Sequence, residues 1–170
     1  MDDALDGYEG DSVKEKYALM FMRRKYCISC CNSDADTLSR RFRDVEKIGE
    51  GTFGTVYKCT SLANPANVYA VKMLHRHTRP QRIINEINHL LLLGGHDNVI
   101  PLERVFRHRD CILLVLPYVN HVGFREYRLS MTKEMTRSYM YNLFVSLESV
   151  HSAGIIHRDV KQSNFLANFE

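Results

Sequence analysis

The chain has 170 residues, of which 45% are hydrophobic and 25% charged, with a net charge of +3. That size and balance suit a globular domain, and the charge is too weak to argue for nucleic acid or an anionic membrane as a partner. No apolar run approaches the roughly 18 residues of a membrane-spanning helix, and the start at Met1-Asp2-Asp3 lacks the basic-then-apolar order of a secretory signal.

Residues 1–41 differ in texture from the remainder. Met1 to Asp11 is acidic, Tyr17 to Met22 is apolar, and Arg23, Arg24 and Lys25 follow. This composition predicts a poorly ordered leader with one short helix. Cys27-x-x-Cys30-Cys31 offers half of a zinc site, but a closed site needs about four ligands. Neither Cys59 nor His75 stands at a familiar second-pair spacing, so reduced thiols in an intracellular protein are the simpler reading.

From Phe42 the pattern becomes strand-like. Val45 to Ile48 leads into Gly49-Glu50-Gly51-Thr52-Phe53-Gly54, and Thr55 to Thr60 continues as a strand. Glycines there let the backbone turn sharply and approach phosphates closely. An ordinary glycine-rich hairpin fits the same residues, and the strand-loop-strand context argues against a Rossmann fingerprint, which needs a strand-to-helix turn. Val56 is apolar and placed to cover a flat base. After a turn at Asn64-Pro65, Val68 to Leu74 forms another strand. Ala70 and Lys72 share one of its faces, so a small residue leaves room for a ring while an ammonium reaches phosphate oxygens. A solvated lysine is the alternative.

A helix is expected from Pro80 to Gly94-Gly95, with Ile83, Ile87, Leu90 and Leu91 on its buried face. Glu86 falls on that stripe, where a carboxylate is costly unless paired. Lys72 is the expected partner; a boundary glutamate reaching solvent is the alternative. Leu102 to Arg107 and Cys111 to Leu116 form a second hairpin of an antiparallel sheet. A longer helix runs from about Thr132, its N-cap, to Ala153, with Gly154 ending it. Met135, Tyr139, Leu143, Leu147 and Val150 form its core stripe.

The final motif is His157-Arg158-Asp159-Val160-Lys161-Gln162-Ser163-Asn164. It places a carboxylate, an ammonium and a carboxamide in one short loop. Asp159 can orient a hydroxyl, Lys161 can neutralise a transferring phosphoryl group, and the carbonyl oxygen of Asn164 is a hard ligand suited to Mg²⁺. His157 and Arg158 are read as holding the loop.

Together these residues resemble the eukaryotic protein kinases over Phe42 to Glu170. The resemblance implies an α+β fold with an antiparallel N-lobe carrying one helix, a hinge ending near 121, and the start of a helical C-lobe over 122–170. It implies ATP and Mg²⁺ as cofactors. Ile48, Gly49, Gly51, Gly54, Val56, Ala70, Lys72, Leu116, Tyr118 and Val119 would bind the nucleotide. Leu116 would take the gatekeeper place, Asp159 would act as base with Lys161 beside it, Lys72 would pair with Glu86, and Asn164 would hold the metal. Lys161 is similar to the serine/threonine group.

Gly94-Gly95-His96-Asp97-Asn98-Val99, Leu116-Pro117-Tyr118-Val119-Asn120-His121 and Phe165-Leu166 look like the cell-division-cycle-seven kinases, the catalytic subunits of DDK. That narrower likeness implies a nuclear kinase of replication initiation, a Dbf-type regulatory subunit and the MCM helicase as protein substrate. Gln162 departs from the proline usual there. The Asp-Phe-Gly segment, which carries the second metal carboxylate, would follow Glu170, so the chain is expected to be the front part of such an enzyme. The alternatives are an impaired module that binds nucleotide or the regulatory subunit, and a serine/threonine kinase of another group.

Overall fold

A computed structural model describes residues 38–108 and 111–168. Five antiparallel strands form one sheet: β1 (Phe42–Gly51), β2 (Gly54–Ser61), β3 (Val68–Leu74), β4 (Arg104–His108) and β5 (Cys111–Pro117). Their order is β1-β2-β3-β5-β4. The expected second hairpin therefore joins the first three strands through β5, which pairs with β3 from Tyr69–Pro117 to Leu74–Ile112. The run Cys111 to Val115 is buried at every position, as an apolar segment covered on both faces must be.

The strand alternation divides the sheet's side chains. Cys59, Val71, Met73, Phe106, Leu113 and Val115 enter one core cluster with Leu38 and Phe42. Leu38 is 0% exposed, and the Arg41 guanidinium lies 4.2 Å above the Phe106 ring. Residues 38–41 are thus tied to the sheet, although the sequence groups them with the leader. The expected leader helix and the Cys27, Cys30 and Cys31 cluster lie outside the described residues. Burial pushes the Cys59 thiol up to about 12, which makes it inert at neutral pH. The β2–β3 link closes as the Asn64-Pro65 pattern predicts, with Ala66 N donating to Asn64 Oδ1 at 3.1 Å.

Helix α1 spans Pro80–Leu93. Ile83 and Ile87 are buried as expected, but Leu91 is 37% exposed while Leu93 is buried. The helix face turns enough over its last two turns that Leu91, assigned to the buried stripe by spacing, falls outside it.

The chain divides into two compact units. The first runs up to Asn88 and resumes over Leu102–Tyr118; the second comprises His89–Pro101 and the chain from Val119 onward. In the second unit, α2 (Phe124–Tyr127) precedes α3 (Lys133–Ser152). Thr132 caps α3 as expected, its Oγ1 accepting from Met135 N at 3.2 Å. Gly154 ends it with φ of +73°, a conformation costly for other residues. Along the α3 stripe, Tyr139 and Val150 are buried, whereas Met135, Leu143 and Leu147 are half-buried. Asn98 docks on the same helix, its Nδ2 donating to Asn142 Oδ1 at 3.1 Å. Among the described residues no helix is long and apolar enough to cross a membrane.

Candidate active site

In the first unit the site is built from the sheet face opposite the Val71 and Met73 core cluster. Strand pairing aligns Gly49, Val56, Lys72 and Leu114 across four strands. One step along, Lys58, Ala70 and Leu116 form a parallel row. Opposed residues of an antiparallel pair share a face, so a small residue, two lysines and apolar side chains lie together.

Lys72 Nζ donates to Glu86 Oε1, joining β3 to α1. Both side chains are 27% exposed. Glu86 sits between the buried Ile83 and Ile87, which keeps its carboxylate at the margin of the helix's apolar face. The charge-assisted bond offsets the desolvation that this position imposes. This is the pairing that the helix periodicity led one to expect.

The β1–β2 ladder continues to Gly51 opposite Gly54, leaving Thr52 and Phe53 as the turn. A Cβ at Gly54 would lie 2.5 Å from Met73 O, so only glycine lets the start of β2 reach β3. The same atom at Gly49 would rest 3.9 Å from Val56 Cβ, and at Gly51 3.9 Å from Gly54 O, both ordinary contacts. Packing therefore demands glycine at Gly54 alone. Ile48 is an extra residue in β1, set in an irregularity between Lys47 and Gly49, and is 41% exposed. Lys47 donates to Glu50 Oε2 at 2.6 Å, and this hydrogen bond holds the Glu50 carboxyl below its ordinary range.

At the end of β5, Leu116 and Tyr118 are half-buried, and Tyr118 N donates to Val68 O at 3.2 Å. The Lys58 ammonium lies 4.6 Å over the Tyr118 ring. Lys58 is absent from the residues singled out by sequence, although alternation from Val56 places it on the same face. Val119 belongs to the second unit, where His121 Nδ1 lies 2.9 Å from its carbonyl oxygen. The chain passes between the units after Asn88, Pro101 and Tyr118.

The second unit carries the loop after α3. Arg158 takes a φ of 64°, and Asp159 N donates to His157 Nδ1 at 3.2 Å. His157 thus holds the loop's backbone. Lys161 Nζ lies 2.8 Å from Asp159 Oδ2. Asn164, ending a single 3-10 turn (Gln162–Asn164), donates its Nδ2 to Asp159 Oδ2 at 3.0 Å and to Asp159 O at 2.9 Å. The hydrogen bond from Lys161, and then that from Asn164, hold the Asp159 carboxyl below its ordinary range. Because the Asn164 nitrogen is committed to Asp159, its carbonyl oxygen is the atom left for a cation. That oxygen beside an ionised carboxylate fits a hard divalent ion such as Mg²⁺.

The following residue anchors this loop. The Phe165 ring meets Tyr139 of α3 edge-on, with centroids 4.8 Å apart, and Tyr139 in turn lies 6.4 Å from Tyr127. Tyr139 is recognisable as core from the helix stripe. Phe165 is not, because its partner is distant in sequence and no periodicity connects them.

Comparison with known proteins places the chain in a family. The protein kinase domain family model matches residues 42–170. The chain is 43% identical to a cell division cycle 7-related protein kinase of Mus musculus, over 75% of this chain and 23% of that protein. It is 41% identical to a probable serine/threonine-protein kinase cdc7 of Dictyostelium discoideum, over 79% of this chain and 13% of that protein. It is 32% identical to the cell cycle serine/threonine-protein kinase hsk1 of Schizosaccharomyces pombe, over 76% of this chain and 32% of that protein. The matched region thus spans less than a third of each of these relatives. The chain belongs to the protein kinase domain family, and its likeness within that family is to serine/threonine kinases of the cell division cycle 7 type.

Proposed function

We propose that this chain supplies the nucleotide-binding sheet and the catalytic loop of a kinase that moves the γ-phosphate of ATP to a serine or threonine hydroxyl of a protein. The observation that carries this reading is the Lys72–Glu86 bond. It fixes an ammonium on the sheet face that also holds Gly49, Val56, Ala70 and Leu116.

The roles follow from the chemistry of each group. Lys72 meets the α- and β-phosphates, and Glu86 keeps it in place. Gly49, Gly51 and Gly54 let loop backbone approach the phosphates. Ile48, Val56, Ala70, Leu116, Tyr118 and Val119 enclose the adenine. Asp159 orients the attacking hydroxyl, and Lys161 neutralises charge on the transferring group. Asn164 holds Mg²⁺, which when bound would neutralise phosphate charge. Positioning and electrostatics account for most of the acceleration in transfers of this kind.

The likeness to cell division cycle 7 relatives supports a narrower reading. The whole protein acts in the nucleus with a Dbf-type regulatory subunit and phosphorylates the MCM helicase in replication initiation. Transfer of labelled phosphate from ATP to MCM subunits by the whole protein tests both levels. Lys72→Met should reduce transfer by at least about 100-fold, in line with losing one principal charge-stabilising contact. Wild-type transfer in that variant would remove the kinase reading. Transfer that is lost with Lys72→Met but indifferent to a Dbf-type subunit would assign the chain to another serine/threonine group.

A further inference from the structure

The glycine-rich turn is held from outside the sheet as well as by it. The Arg82 guanidinium lies 3.7 Å from the centroid of the Phe53 ring, at the tip of that turn. This is a close approach for a cation over an aromatic face. Phe53 also accepts a backbone hydrogen bond, from His75 N to Phe53 O at 3.0 Å. His75 directly follows β3, so the tip is fixed both to the end of that strand and to α1.

Arg82 and Glu86 stand four residues apart on α1, which brings them to one face of the helix about one turn from each other. Glu86 takes hold of Lys72 on β3, while Arg82 takes hold of Phe53 on the glycine-rich turn. A single helix face therefore grips both elements expected to touch the phosphates. A shift of α1 that breaks the Glu86 bond must also carry Arg82 away from Phe53, or strain it.

We propose that Arg82 is a positioning residue: through Phe53 it holds the tip of the glycine-rich turn and couples the turn's closure to the position of α1. This rests on the reading of the sheet face as an ATP site. A planar guanidinium can stack on an aromatic face in a way that a lysine ammonium cannot, so the identity of Arg82 as arginine should matter to this contact. Such a contact is worth roughly a two- to fivefold change in an equilibrium at a partly exposed position. By linkage, bound nucleotide would favour the gripped arrangement of α1 by the same factor.

Amide hydrogen exchange of the whole protein, with ATP affinity measured alongside, tests the coupling. Arg82→Ala and Phe53→Leu should each raise exchange across Gly51–Thr55 about two- to fivefold and weaken ATP binding by a similar factor. The double variant should add little to either single change. Arg82→Lys should fall nearer to Arg82→Ala than to wild type. Glu86→Ala should loosen the turn in the wild-type background and have little effect on it once Arg82 is gone. Turn exchange unchanged in both single variants, or fully additive in the double, would overturn the proposal. So would a Glu86→Ala effect that persists undiminished without Arg82. A wild-type protein that binds no ATP would instead remove the nucleotide reading, and the exchange measurements would still decide whether Arg82 couples the turn to α1.

Discussion

Lys72 and Glu86 are joined across 14 positions of sequence, and their bond is the tie between β3 and α1 that lies on the candidate nucleotide face. Each alone would be an unfavourable resident of a half-buried position. A charge-assisted hydrogen bond of this exposure contributes about 1–3 kcal/mol, and removing one partner leaves the other desolvated and unmatched. Lys72→Ala and Glu86→Ala should therefore each destabilise the first unit. The double variant should be less destabilised than the sum, with a coupling of about 1–2 kcal/mol. Urea denaturation of the four proteins measures it, and strict additivity would show that the pair contributes nothing to folding.

Asp159 is the group whose titration should report on the catalytic loop. Its carboxyl is held below the ordinary value of 3.8, first by the Lys161 hydrogen bond and then by that of Asn164. A carboxyl lowered in the folded state stabilises that state above the unfolded value, and this contribution is lost as pH falls through the folded value. The loop's interactions should accordingly weaken only in strongly acidic solution. Lys161→Met removes the larger cause, so the Asp159 titration should move upward toward 3.8. Carbon-detected NMR titration of the Asp159 carboxyl reads the shift directly, and an unmoved midpoint would contradict this account of it.

How far the sequence reached depended on whether a feature is local. The β5 strand was legible because Cys111 to Val115 is an unbroken apolar run, and the Thr132 cap because its signal is local. The Lys72–Glu86 bond is legible for a different reason: an acidic residue on an apolar stripe demands a cation, and the strand that holds Lys72 directly precedes this helix. What was missed depends on partners far apart in the chain. Leu38 reads as part of a polar leader until the outer sheet face is seen to need a cover. The Arg82–Phe53 and Phe165–Tyr139 contacts join segments whose own patterns do not refer to each other. Leu91 was misplaced because an i, i+8 spacing drifts around a helix more than the i, i+4 spacing that correctly placed Ile87.

The glycines of the turn should separate by what they support. A methyl group at Gly54 would press against the backbone oxygen of Met73 at 2.5 Å, and neither strand can move without breaking the ladder. Gly54→Ala should cost about 1–3 kcal/mol of stability, as overpacking does. Gly49→Ala meets only an ordinary contact at 3.9 Å and should leave stability within about 0.5 kcal/mol of wild type. Its effect, if the turn covers a nucleotide, should appear as weakened ATP binding in a protein that denatures normally. Calorimetric melting and ATP titration of both variants would distinguish the two roles, and equal loss of stability in both would deny the distinction.

Phe165 offers the corresponding separation in the second unit. It follows Asn164 directly, and its ring meets Tyr139 edge-on at 4.8 Å, so the loop carrying Asp159, Lys161 and Asn164 is fastened to α3 immediately after its last polar group. Aromatic pairs in this geometry contribute about 0.5–1.5 kcal/mol beyond the area they bury. Phe165→Leu keeps most of the apolar contact and loses the edge-to-face component, so it should cost about 1 kcal/mol or less in stability. Phe165→Ala loses both and should cost more. The Asn164 carboxamide would then be less firmly held against Asp159, and its side-chain amide protons should exchange faster in the alanine variant than in the leucine variant. Side-chain amide exchange by NMR tests this order; identical Asn164 exchange in wild type and Phe165→Ala would mean that the hydrogen bonds to Asp159 hold the loop without the aromatic anchor.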